Sequence, residues 1–94
     1  SERAKEVIQF HINRCHDILR IIDNTPVGVT DIVMQHFAPS LLAGFGEVLA
    51  ENEISAHIEI LEACGDIQWV GENKDIVQRT GTGNYLYGIE AYLR

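Results

Sequence analysis

Between Ile21 and Asn73 the chain has neither a lysine nor an arginine. Sequence-independent affinity for DNA or RNA comes mainly from cations that displace counterions condensed on phosphates, so the middle of this molecule has little to offer a nucleic acid. Cysteine is scarce as well. Cys15 and Cys64 are too few and too far apart to frame a small disulfide-stapled domain, and both fall at apolar positions of expected helices, where they read as reduced core thiols. No stretch approaches the roughly 18 apolar residues that span a bilayer, and nothing resembles a signal peptide; the expectation is a cytoplasmic protein without membrane contact. Two prolines and eight glycines are too few for a disordered linker.

What is present is acid and a regular apolar pattern. The 94 residues carry 14 Asp plus Glu against 7 Lys plus Arg, for a formal net charge of −7. The cation-free stretch itself holds Asp23, Asp31, Glu47, Glu51, Glu53, Glu59, Glu62, Asp66 and Glu72. A chain of this length has room for one core, so residues 1–94 are expected to form a single domain. It opens on Ser1-Glu2 rather than Met, which suggests either a piece of a longer chain or a residue left by a tag.

Apolar residues at Ile8, Ile12, Cys15, Leu19 and Ile22 lie on one helical face, which predicts a first helix from about Glu2 to Ile22. Its charged residues, including Arg14, fall mostly off that face. Asp23-Asn24-Thr25-Pro26 ends it. Val27-Gly28-Val29 reads as a short extended entry to a second helix, with Thr30 as N-cap and Asp31 suited to the helix dipole. That helix carries Ile32, Val33, Met34, His36 and Phe37 and stops before Pro39. Leu41 and Leu42 suggest one more turn, and Gly44-Phe45-Gly46 reads as a loop.

A third helix starts between Glu47 and Asn52 and runs to Cys64, with Gly65 as its left-handed C′ residue. Ile54, Ile58 and Leu61 make its inner face, with His57 and Cys64 on the flank, and Glu51, Glu53, Glu59 and Glu62 its outer face. Then the period changes. Ile67–Val70 and Asp75–Arg79 form a predicted hairpin around Gly71–Lys74. Beyond Thr80–Asn84, the segment Tyr85–Ile89 is either a third strand or a cover for the open end of the core. Three helices followed by a hairpin is the winged-helix order, an α+β fold; a three-helix bundle with an irregular tail is the alternative.

Few residue groups could carry chemistry. His11 and Cys15 have the i, i+4 spacing that lets two side chains meet one ion, with His16 beside them, but two ligands do not make a zinc site. His57 suits a core histidine that packs its carbons and bonds one backbone carbonyl. His36 has no neighbour in sequence to organise it. The pairs Glu51 with Glu53 and Glu59 with Glu62 could share acid and base roles only if burial shifted them; they read as a solvated helix face. Gly81-Thr82-Gly83 lacks an evident following helix to present to phosphate. No catalytic residue, metal site or cofactor is therefore assigned.

Three segments, His11-Ile12-Asn13-Arg14 with Ile18-Leu19, Val29–Val33, and above all Glu53–Ile67 with its Ala-His-Ile, Leu-Glu and Gly steps, carry a family likeness. Across about two thirds of the chain, His11 to Val70 resembles the C-terminal winged-helix-like domain of metallo-β-lactamase-fold hydrolases of the β-lactamase-like group. The resemblance implies an accessory, protein-interacting domain of a zinc-dependent hydrolase whose metal ligands lie in a preceding catalytic domain. None of those ligands maps onto this sequence, and the tail from Gln78 to Arg94 departs from the pattern. Expected partners are the catalytic domain of the parent chain or a second copy, through groups such as Trp69, Tyr85, Tyr87 and Tyr92. The alternative function is that of a winged-helix DNA-binding transcriptional regulator, in which the third helix would enter the major groove. That helix offers carboxylates instead of cations.

Overall fold

The computed structural model describes residues 2–92. Helix α1 spans Glu2–Ile22, strand β1 Val27–Gly28, α2 Val29–His36, α3 Phe45–Ala63, β2 Ile67–Val70, β3 Ile76–Arg79 and α4 Tyr85–Tyr92, with a 3-10 turn at Pro39–Leu41 between α2 and α3. The strands form one antiparallel sheet in the order β1-β3-β2, and Val77 of β3 lies between Val27 on one side and Trp69 on the other. The fold is α+β, four helices around a small sheet, and its core draws on every helix.

The apolar periodicities place that core. Cys15, Ile18, Leu19 and Ile22 of α1 are buried against Ile32 and Val33 of α2 and Ala50, Ile54, Ile58 and Leu61 of α3, with Ile67 and Val77 from the sheet and Tyr85 and Ile89 from α4. Each fully buried Ile or Leu contributes about 1.5–3 kcal/mol relative to exposure.

The end of α3 follows its sequence signals closely. Gly65 takes φ 81; its N–H donates to Glu62 O and the Asp66 N–H to Leu61 O at 3.0 and 2.9 Å. This is the Schellman closure expected of a glycine at C′.

Four local expectations are corrected. Helix α2 begins at Val29, one residue before the expected Thr30 cap, and its N-cap Gly28 makes no side-chain cap bond. The reason lies beside the sheet: the Val29 N–H donates to Asp75 O, just ahead of β3, at 2.9 Å, so a carbonyl from across the sheet satisfies the first free donor of the helix at Val29. Helix α3 begins at Phe45, because Gly44 alone makes the turn at φ 61 and helical bonding is under way by Gly46 and Glu47. The hairpin's second strand starts at Ile76, since Lys74, at φ 51, still belongs to the turn. Of the two readings of Tyr85–Ile89, the third strand is overturned and the cover over the core holds: the segment is helical, and the sheet's third strand is β1. The buried pair Tyr85 and Ile89 stands four residues apart, one face of α4, and closes the core.

Candidate functional site

Helices α1, α3 and α4 frame an open groove of about 990 Å³. Its floor reflects how closely the helices approach. A Cβ placed on Gly88 of α4 would fall on Cys64 Sγ at the end of α3, so only glycine lets the two elements meet without displacement. The walls carry small or apolar residues, with His11, Glu59, Asn84 and Tyr87 as the polar groups.

His11 enters the groove with its ring fixed from behind. His57 on α3 is 1% exposed, and its Nδ1 lies 2.8 Å from the Glu53 carbonyl while its Nε2 lies 2.8 Å from His11 Nδ1. A carbonyl only accepts, so His57 Nδ1 carries the proton and, in the neutral pair, Nε2 accepts one from His11 Nδ1–H. The outer nitrogen of His11, Nε2, is left with a free lone pair. Burial pushes the His57 pKa below its usual value against the smaller opposing pull of Glu53, which agrees with a neutral ring. The expected carbonyl bond of a core histidine is present, and the pairing with His11, 46 residues away, is what the sequence did not signal.

Beside this pair, the Arg14 guanidinium lies 5.2 Å from the ring centres of both Phe10 and Phe37 and its Nη1 is 3.7 Å from Glu53 Oε1. Its side chain is 14% exposed. The expected place of Arg14 off the buried face is corrected accordingly: two aromatic faces and a carboxylate draw the charge inward.

The remaining nominated residues are kept apart. Cys15 lies wholly inside the core, where burial pushes its thiol up to about 12 and hides it from any ion His11 could hold. Cys64, half-buried on the groove wall, is likewise raised by burial, which leaves little nucleophilic thiolate. His16 is exposed, with Nδ1 3.4 Å from the Tyr85 hydroxyl, and His36 is held below its usual pKa by partial burial and by Arg14. Glu51, Glu59 and Glu62 stand in solvent as expected, while Glu53 is partly covered by Arg14 and His57. Among the described residues no three His, Cys, Asp or Glu side chains converge as metal ligands, and no helix is long and apolar enough to cross a membrane.

The residue that pattern reading passed over is Asp66. It is fully buried; Oδ1 accepts from the Thr82 hydroxyl and the Asn84 N–H, and Oδ2 from the Tyr85 N–H, each at 2.7 Å. A helix does follow the Gly81-Thr82-Gly83 segment, contrary to expectation, but its first donors already serve this carboxylate. An internal anion holds the place that a phosphate would need. The available signal was an acid directly after a helix-ending glycine, ahead of a threonine-glycine loop, which is hard to separate from an ordinary surface aspartate.

No family model, curated protein or solved structure matches this chain.

Proposed function

We propose that the chain is a non-catalytic, winged-helix-like accessory domain that docks on protein, and that its parent is a metallo-β-lactamase-fold hydrolase carrying it at the C-terminal side of the catalytic domain. The observation that carries the docking reading is α3, which exposes Glu47, Glu51, Glu59 and Glu62, half-covers Glu53, and has neither lysine nor arginine. In a nucleic-acid reader this is the helix that would meet the major groove. The other cations do not compensate. Arg14 is turned inward, and Arg3 and Arg20 stand near opposite ends of α1, about 25 Å apart at helical rise. Lys5 and Arg20 already lie near Glu2 and Asp17, at 3.7 and 3.6 Å. Lys74 lies in the hairpin turn and Arg79 ends β3.

The winged-helix reading is supported by the element order and by a hairpin whose second strand occupies the middle of the sheet beside the short strand between α1 and α2. Two free thiols suit a reducing, cytoplasmic setting. The parent assignment rests on the sequence likeness through Glu53–Ile67, and it is tested by the residues upstream of Ser1 in the native gene. A His-x-His-x-Asp-His run and bound zinc in the protein that includes it are the expected result; a start codon at this point would overturn the parent and revive transcriptional control.

A further inference from the structure

The groove between α1, α3 and α4 has a shape and a polarity that specify an occupant. Along α3, Ala56, Ile60 and Ala63 succeed one another at four- and three-residue spacing, and along α4 Gly88 and Ala91 at three, all lining the same opening. About two turns of α3 and one of α4 therefore offer small or apolar surface to a space that no described element fills. Its polar groups can all accept a hydrogen bond, and its one charge is a carboxylate. His11 Nε2 is an acceptor in the neutral pair described above and Glu59 is a carboxylate, while Asn84, one amide N–H of which goes to Cys64 O, and the Tyr87 hydroxyl can each accept or donate. The lining includes neither lysine nor arginine.

Such a groove suits an apolar body that brings N–H donors or a positive charge. A second copy of this chain, with net charge −7, is disfavoured by like-charge repulsion as the partner. A helix fits the shape, since a partner that lays an i, i+3, i+4, i+7 stripe into a hydrophobic groove needs two neighbouring helices to receive it. Alanine and glycine at the contact allow close interaxial approach.

We propose that this groove seats an amphipathic helix of a partner polypeptide, with its apolar stripe against Ala56, Ala63 and Gly88 and a lysine or arginine reaching Glu59 and His11. The inference rests on the protein-docking reading and deepens it by fixing the surface and the chemistry of the partner.

The test uses the 94-residue chain labelled with nitrogen-15 and two synthetic helical peptides of about 14 residues, alike in an Ala/Leu stripe but carrying Lys or Glu at the centre. The Lys peptide is expected to move the amide signals of Ala56, Ala63, Gly88 and Ala91 and to bind about tenfold tighter than its Glu twin. Glu59→Lys, at an exposed position, reverses that preference. Ala63→Trp, which fills the groove from its rim, weakens binding about tenfold or more; should it fail to fold, the Glu59→Lys exchange decides. Equal affinity for the two peptides, absence of shifts at those amides, or shifts centred on the exposed Leu41, Val48 and Leu49 would overturn the proposal. So would a dimer in sizing experiments whose groove signals move with protein concentration. Each of these outcomes removes the groove and leaves the wider docking reading to its own tests.

Discussion

His57 and Asp66 are the two fully buried polar side chains among the described residues, at 1% and 0% exposure, and they hold different parts of the molecule by different means. His57 sits in the α1–α3 seam, where Ile18, Ile54 and Ile58 already supply a continuous apolar contact; its bonds to Glu53 O and His11 orient a surface group. Asp66 stands where apolar periodicity is thin. Helix α4 has eight residues, too few to be stable alone, and one carboxylate binds its first N–H groups together with the Thr82 loop. The front of the domain is held by long stripes of Ile and Leu, and the back by one short apolar pair, Tyr85 and Ile89, together with a carboxylate cap.

That contrast can be broken most sharply at Asp66. Asp66→Ala strands the two backbone donors that it now bonds, Asn84 N–H and Tyr85 N–H, and leaves the Thr82 hydroxyl only its longer contacts to Gly65 O and Thr80, at a cost of about 3 kcal/mol. Nitrogen-15 NMR and urea unfolding should show α4 losing its order while the α1–α3 amides keep their native shifts. Thr82→Val removes one bond of the three and is expected to cost about 1 kcal/mol. Loss of α1–α3 packing along with α4 would mean that the two regions are one unit, against the comparison.

At the other region the effect is smaller and depends on pH. The folded-state pKa of His57 lies below its ordinary value, so above about pH 6.5 both folded and unfolded forms are neutral and the full stability is present. As pH falls below that value, the unfolded chain takes up a proton that the buried ring resists, and stability is lost down to the folded-state pKa. His36 is shifted in the same direction and adds to the same window. The urea midpoint should fall between pH 7.5 and pH 5.5, and by less in His57→Gln; an unchanged pH dependence in that variant would show that the ring's burial does not govern the response.

How much was legible in the sequence follows from the same division. The α1 stripe from Ile8 to Ile22, the α3 stripe through Ile54, Ile58 and Leu61, and the Gly65 stop rest on local periodicity or local turn chemistry, and each has its counterpart in the fold. The misplaced features depend on distant partners. Val29 starts α2 because Asp75 O lies across the sheet, Arg14 turns inward because Phe37 arrives from another element, and Tyr85 begins a helix because Asp66 binds its N–H. The groove belongs to this second class: Ala56, Ala63 and Ala91 read as ordinary helix formers until α4 lies beside α3. The charge pattern, by contrast, needed no structure, since a helix whose charges are all carboxylates keeps that sign wherever it packs.

The central claim concerns that helix and can be tested directly by titrating fluorescent duplex DNA with the folded domain at physiological salt and following anisotropy. A surface built to meet protein predicts no complex tighter than about micromolar, with equal weakness across sequences. A nanomolar, sequence-selective complex would contradict it and make α3 a recognition helix despite its five glutamates.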